Sequence, residues 1–305
     1  MSIVDRSLKL RGGRTGILLI HGLGGTPIEH RMVAIGLAHQ GFTVHCPQLA
    51  GHCGTFEDLR DTSWQDWYAS VEAAHDELCQ SCDTVIVGGL SMGAVMAMHL
   101  AAQRPDRVQG LALFAPTLKL DGWGVPWYSA FFSLVTQKWF ANLIKFSERD
   151  PYGIKDPRIR ALVTAAIQSG DSSQVGQLDN PGGVMLEMRW LINTVKREIP
   201  NIKQPTLILH PREDDRASLA NAFYLQRNLA GPVEVRVLED SYHVITLDRQ
   251  RHVVIECTGA FASRIGGKAA GQTQAETYLR QSVPSAAVAE TAELAIAEGE
   301  RARHH

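Results

Sequence analysis

A serine between two glycines is the feature of this sequence with the clearest chemical use. Ser91 stands between Gly89 and Gly93, after the apolar, β-branched residues 84–87 and before an Ala- and Met-rich segment that suits a helix. A strand that turns sharply into a helix presents the residue at the bend beside free N–H groups, and small neighbours leave room for the bend. This Gly-x-Ser-x-Gly pattern predicts a nucleophilic serine for acyl transfer, provided that partner groups lie nearby.

Such a serine needs a base within hydrogen-bond reach and a third group that orients the base. In an α/β sheet, both partners are expected on loops that follow later strands, at the same edge as the serine. Four histidines follow the last two predicted strands. His252 falls in or along a predicted helix, and His304 and His305 lie in the C-terminal tail. His243 comes in the loop after the last predicted strand, so we predict that it is the base.

The acid is expected after the penultimate predicted strand, residues 205–210. Three carboxylates are adjacent there, namely Glu213, Asp214 and Asp215. Charged loop clusters are usually solvated, so at least two of the three need no catalytic role. The residue types alone leave this choice open.

Acyl transfer also places negative charge on the former carbonyl oxygen, which two backbone N–H groups can hold. Met92, the residue after the serine, is the first predicted donor because it begins a helix. The second is predicted in the glycine-rich turn His21-Gly22-Leu23-Gly24-Gly25-Thr26-Pro27, where we select Leu23. His21 is interpreted as a residue that shapes this turn rather than as a base.

The elements that position these groups alternate between strand and helix over residues 16–116 and again over residues 201–265. Such alternation predicts a mostly parallel sheet with helices on both faces, an α/β fold. Residues 117–200 lack a convincing strand and contain three amphipathic helical patterns, at about 126–146, 156–168 and 183–199. We therefore predict a core of residues 1–116 and 201–265 with a helical cap inserted as residues 117–200. Residues 266–305 are predicted to form a disordered or weakly helical tail.

Together these motifs resemble the α/β-hydrolase superfamily, in which the chain order is Ser, Asp, His. The glycine turn from His21, Gly51-His52 followed by Trp64-x-x-Trp67, and Gly89-Leu90-Ser91-Met92-Gly93 are similar to bacterial carboxylesterases and monoacylglycerol lipases. The resemblance covers about residues 10–265 and implies a cap over the site. It also implies that the acid is Asp214, three residues beyond Pro211, the position that closes the penultimate strand in this family. Pro211 replaces the glycine usual there, so Asp215 remains the second choice.

Composition limits the partners. The chain has 305 residues, 45% of them hydrophobic, and a net charge of −2, which does not suggest binding to nucleic acid. No apolar run is long enough to span a membrane and no signal-peptide core is present, so we expect a cytoplasmic protein without stable membrane insertion. The five cysteines are odd in number and scattered, which argues against a disulfide framework. Neither a cofactor nor a metal is expected.

The predicted activity is hydrolysis of small carboxylic esters with a short to medium acyl chain, and monoacylglycerol is a candidate substrate. Aromatic residues crowd the first segment of the predicted cap, from Trp123 to Phe146. They could either line an acyl-binding cleft or form the core of the cap. Three other activities could use the same groups: thioester hydrolysis, acyl transfer to a second alcohol and carbon–carbon cleavage. A binding protein that has lost turnover is the alternative from another class. The Ala/Glu-rich tail could also bind a partner.

Overall fold

The computed structural model describes residues 3–168, 176 and 179–267, so residues 268–305 of the predicted tail lie outside the described residues. The strands are β1 (Leu8–Leu10), β2 (Thr15–Ile20), β3 (Thr43–Cys46), β4 (Thr84–Leu90), β5 (Gly110–Phe114), β6 (Lys145–Ser147), β7 (Asp179–Pro181), β8 (Thr206–Pro211) and β9 (Val233–Leu238). The α-helices are α1 (Arg31–His39), α2 (Phe56–Arg60), α3 (Trp64–Ser81), α4 (Met92–Gln103), α5 (Lys138–Ala141), α6 (Pro157–Gln168), α7 (Gly182–Glu198), α8 (Ala220–Asn228) and α9 (Arg251–Gly266). Short 3₁₀ helices cover Pro27–His30, Trp127–Leu134 and Ile199–Asn201.

A single sheet organises the described core. Its seven strands follow the order β1-β3-β2-β4-β5-β8-β9; β1 runs antiparallel to β3, and every other neighbouring pair is parallel. Parallel neighbours require crossover connections, which the helices between the strands supply. The predicted α/β fold is therefore confirmed, and the carboxyl ends of β4, β8 and β9 share one edge of the sheet.

Helices cover both faces of this sheet because the central strands are apolar on both sides. In β2 all six residues are buried, and the side chains of residues 17–20 alternate between two hydrophobic clusters. Leu18 and Ile20 join a cluster with residues of α3, α4 and α7, whereas Ile17 and Leu19 join a cluster with residues of α1 and α9. A uniformly apolar run in a parallel sheet is the expected result of burial on two faces.

The start of α3 shows how a local sequence signal fixes a helix end. Ser63 accepts a hydrogen bond from the Asp66 N–H, and the Asp66 carboxylate accepts one from the Ser63 N–H at 2.8 Å. Two N–H groups that the helix leaves without partners are satisfied in this capping box. The long helix α3 therefore begins at a fixed residue.

We expect Ser63→Ala to lower the free energy of unfolding by about 1 kcal/mol, because the alanine cannot accept the Asp66 N–H. Ser133→Ala is the matched control, since Ser133 is an exposed serine within the Trp127–Leu134 3₁₀ helix. Denaturant unfolding of both variants measures the difference. Equal midpoints for the two variants would show that the capping box contributes little.

The prediction that residues 117–200 contain no strand is wrong. β6 and β7 pair antiparallel, with Lys145 opposite Pro181. Each strand has only three residues, so neither leaves a recognisable alternation of polar and apolar positions. The first predicted helix, 126–146, is instead a 3₁₀ helix, the single turn of α5 and then β6, whereas the other two predicted helices correspond to α6 and α7. No helix among the described residues is long and apolar enough to cross a bilayer.

Candidate active site

Ser91 occupies a strained bend between β4 and α4. Its φ of 57° and ψ of −113° lie outside the regions that most residues adopt. A methyl group at Gly89 or Gly93 would overlap the carbonyl oxygen of Ile20 on the neighbouring strand β2. Only glycine fits at these two positions, and the close approach keeps the serine at the apex of the turn.

The Ser91 hydroxyl contacts a threonine that the sequence analysis does not single out. Ser91 Oγ lies 3.1 Å from Thr117 Oγ1, and the Thr117 hydroxyl is also 3.1 Å from the carbonyl oxygen of Ala115. Because a carbonyl oxygen can only accept, the Thr117 hydroxyl donates to Ala115 and accepts a hydrogen bond from the Ser91 hydroxyl. Among the described residues the Ser91 hydroxyl therefore points to Thr117 and not to His243.

His243 and Asp214 form a buried pair at the same edge of the sheet. His243 Nδ1 lies 2.9 Å from Asp214 Oδ1 and 2.8 Å from Oδ2, and both residues are almost completely buried. The carboxylate also accepts the backbone N–H groups of Arg216 at 2.8 Å and Ala217 at 2.9 Å. These bonds fix the Asp214 side chain, which in turn orients the imidazole.

The pKa of Asp214 favours an ionised carboxylate beside the imidazole. Burial by itself raises the pKa of Asp214, but His243, His210 and the Ala217 N–H favour the ionised form and together hold the pKa below its ordinary value. An ionised carboxylate on Nδ1 requires that nitrogen to carry the proton, which leaves Nε2 of His243 as the acceptor. That is the tautomer required of a general base for a serine.

Asp215, the second choice for the acid, does not contact the imidazole. Its Oδ1 accepts the backbone N–H of His243 at 3.3 Å, and its Oδ2 accepts the Gly153 N–H at 3.2 Å. It therefore joins the loop of His243 to the segment between β6 and α6. Glu213 is exposed and pairs with Lys155 at 2.7 Å, as expected for a solvated loop carboxylate.

Two other buried histidines have structural partners. His21 Nδ1 donates to the Gly22 carbonyl at 2.9 Å, and its Nε2 accepts the Leu49 N–H at 3.2 Å. Burial and the nearby His52 hold the pKa of His21 well below its ordinary value, so the ring stays neutral and both nitrogens are occupied. His210 Nε2 donates to the Ala217 carbonyl at 2.8 Å and lies 3.5 Å from Asp214 Oδ2. Of the other candidate bases, His252 is exposed on α9, and residues 304 and 305 lie outside the described residues.

The two predicted N–H donors have no hydrogen-bond partner in the part of the chain that the structure describes. Met92 is the first residue of α4, so its N–H has no partner within the helix. Leu23 lies in the turn after β2, and neither N–H donates to another of the described residues. Both residues therefore offer an unused backbone donor, one from the turn and one from the helix that follows Ser91.

Ser91, His243 and Leu23 line one cavity of about 320 Å³. Its walls also include apolar side chains from residues 117–200 and from other segments near the sheet edge: Ile28, Leu90, Leu120, Ile154, Ile159, Leu162, Val163, Met185, Met188, Val244 and Leu247. A largely apolar cavity with a few polar groups is typical of a small-molecule site.

The aromatic residues of the first cap segment do not line this cavity. Trp127 and Trp139 are 79% and 70% exposed, and Phe131 is 62% exposed. Phe132 and Phe146 pack against each other with ring centres 4.8 Å apart, so only part of the cluster forms internal packing. Mainly aliphatic and methionine side chains, and not these rings, line the cavity.

Charged residues that the sequence analysis missed form another part of the cavity wall. Arg216 pairs with Glu148, and Glu29 accepts the Gly22 N–H at 3.1 Å. Arg216 stands directly after the three acidic residues and so resembled one more member of a solvated cluster. Glu29 precedes α1 and lacked any motif that would have marked it.

The fold and this site define the class. Residues 17–256 match the model of the alpha/beta hydrolase family, and the chain belongs to that family. A curated relative is the thermostable monoacylglycerol lipase of Bacillus sp. (strain H-257), 29% identical over 256 residues that cover 84% of this chain and 93% of the relative. The carboxylesterase of Bacillus subtilis (strain 168) is 23% identical over 265 residues, covering 86% and 98%.

Solved structures agree with this assignment. A structure reported with LipS and LipT, two metagenome-derived lipolytic enzymes, superposes with a TM-score of 0.73 and 26% identity over 85% of this chain and 97% of that one. The monoacylglycerol lipase of Paleococcus ferrophilus shares the fold, with a TM-score of 0.70 and 17% identity over 86% and 99%. Because it is similar to named lipases and esterases, we identify this chain as an ester-hydrolysing enzyme of the α/β-hydrolase family.

Proposed function

We propose that this enzyme hydrolyses carboxylic esters through an acyl-enzyme on Ser91. The observation that carries the proposal is the buried Asp214–His243 pair, which opens on the same cavity as a serine held at a strained strand-to-helix turn. The chain order Ser, Asp, His is that of the family.

The proposed steps use only this chain and water. Ser91 turns from Thr117 to His243 Nε2, which accepts its proton while Ser91 Oγ attacks the ester carbonyl carbon. The N–H groups of Leu23 and Met92 hold the resulting oxyanion, and Asp214 stabilises the imidazolium. His243 then protonates the leaving alcohol. A water molecule, activated by His243 in the same way, releases the acid.

The cavity supports an apolar acyl group of short to medium length. Its walls are mostly aliphatic, and we infer that residues 117–200 form a cap, because Leu120, Ile159 and Met188 from this segment help to enclose it. Arg216 in the described part of the wall is already paired with Glu148, so the described residues offer no basic cluster for a coenzyme A phosphate. Oxygen esters are therefore favoured over acyl-CoA thioesters, and the 29% identical relative makes monoacylglycerol a candidate.

Rates on p-nitrophenyl esters from acetate to palmitate, and on matched oxygen esters and thioesters, test this substrate class. We expect kcat/KM to peak at short to medium chains, because each methylene that fits the apolar wall adds roughly 1 kcal/mol. Oxygen esters should react at least about tenfold faster than the coenzyme A thioesters of the same acyl group, because the described wall offers no basic cluster that would hold the coenzyme A phosphates. A preference for thioesters, or transfer to an added alcohol in place of hydrolysis, would contradict the proposal.

A fluorophosphonate probe separates an enzyme from a binding protein that has kept the cavity. The probe should add once, to the peptide that contains Ser91, because an activated serine is required for the reaction. The proof is the modified peptide, identified by mass spectrometry. A folded protein that takes no adduct would indicate binding without turnover.

A further inference from the structure

Glu29 lies against the inside of the glycine turn that would hold the oxyanion. It belongs to the Pro27–His30 3₁₀ helix just after that turn, and its Oε2 accepts the Gly22 N–H at 3.1 Å. A methyl group at Gly25 would overlap Glu29 Oε1, and one at Gly22 would lie 3.7 Å from Oε2 and 3.8 Å from Ser91 Cβ. The carboxyl group and the serine therefore both lie next to Gly22.

Charged and titratable groups face Glu29 from several elements. Burial raises the pKa of Glu29 to about 7, against the opposing effects of the Gly22 N–H, Arg216 and His243, and Glu148 adds to the rise. Cys53 also faces this carboxyl, and burial keeps its thiol protonated by raising its pKa to about 12. Glu29 therefore changes charge near neutral pH, close to the site of the reaction.

We infer that Glu29 is a positioning residue whose carboxyl group holds the oxyanion turn through Gly22 and whose negative charge, when present, slows formation of the oxyanion. The inference rests on the proposed function and assigns a residue that the proposed mechanism does not use. Either protonation state offers an oxygen that accepts the Gly22 N–H, so the turn is held at all pH values. The carboxylate adds a negative charge one residue from the Leu23 N–H, where it opposes the charge that develops in the transition state.

Two substitutions separate the hydrogen bond from the charge. Glu29→Gln keeps the size of the side chain and an accepting oxygen but cannot ionise, whereas Glu29→Leu removes both. We expect Glu29→Leu to lower kcat by about 10- to 100-fold with little change in KM, because the turn loses its anchor while the apolar cavity remains. We expect Glu29→Gln to avoid this loss of kcat, because its amide oxygen still accepts the Gly22 N–H.

A purely structural role of Glu29 would not change how kcat depends on pH, so the pH profile of kcat tests the effect of the charge. As pH rises from about 6 to about 9, the ratio of the Glu29→Gln kcat to the wild-type kcat should increase about 3- to 10-fold, because only the wild type gains the charge. A ratio that stays constant over this range overturns the role of the charge. Full kcat in Glu29→Leu overturns the positioning role, and denaturant unfolding of each variant checks that it is folded.

Fluorophosphonate labelling distinguishes this inference from the proposed function. If the wild type labels at Ser91 but the Glu29 variants match it in kcat and pH profile, only the inference about Glu29 fails. A folded wild type that does not label refutes the proposed function and, with it, this inference.

Discussion

Replacing Ser91 with alanine should lower kcat for ester hydrolysis by a factor on the order of 10⁶, the largest effect that we expect from any single substitution. Alanine leaves no atom to attack the carbonyl, while the cavity and the Leu23 and Met92 donors remain, so a weak rate above that in water should persist. KM should change little, because the apolar wall is intact. Turnover of p-nitrophenyl butyrate by the purified variant measures the loss.

Two controls make this result interpretable. Ser133→Ala, an exposed serine away from the cavity, should keep wild-type activity. The Ser91→Ala protein should unfold near the wild-type midpoint, since the only described side-chain bond it loses is the one to Thr117. Activity in Ser91→Ala above about 1% of wild type, in a preparation that takes no fluorophosphonate, would exclude Ser91 as the nucleophile.

Asp214→Asn should lower kcat about 10³- to 10⁴-fold without loss of the fold. The asparagine amide can donate to His243 Nδ1, and this favours the tautomer with its proton on Nε2, which cannot accept the Ser91 proton. Because both Asp214 oxygens lie within 2.9 Å of Nδ1, the substitution acts directly on the imidazole. Steady-state kinetics on the same ester gives the size of the loss.

Asp215→Asn is the matched comparison, because the two carboxylates are adjacent and both are buried. Among the described residues, the Asp215 carboxylate accepts the backbone N–H groups of His243 and Gly153 and lies 3.9 Å from Arg216. Its substitution should misplace the loop slightly and cost about tenfold in kcat. The opposite ranking of the two variants would assign the acid to Asp215.

Local sequence signals were sufficient for much of the fold. The buried run in β2, the Gly-rich turn after it and the capping box at Ser63 each act over a few residues, so their meaning does not depend on distant parts of the chain. The alternation of strands and helices then restricted the topology, because parallel strands need crossover helices. The α/β fold and the family followed from these features, and the matched residues 17–256 agree with them.

Regions without strong local periodicity were predicted less well. β6 and β7 are held by pairing between segments more than thirty residues apart and have too few residues for a pattern. The aromatic residues of the first cap segment were expected to be buried in one way or another, yet Trp127 and Trp139 are mostly exposed. Hydrophobic spacing shows that a face is apolar but not what covers it.

The sequence by itself determined the alternation of strands and helices in the core and the short list of residues that chemistry could use: Ser91, His243, three adjacent carboxylates and a glycine turn. Only the tertiary structure decided that Asp214, and not Asp215, meets the imidazole, and that Glu29 folds back onto Gly22. Adjacent residues of the same type are equivalent in any pattern, because their difference lies in the direction of each side chain. That direction is set by contacts with loops that are distant in sequence and meet only when the sheet has formed.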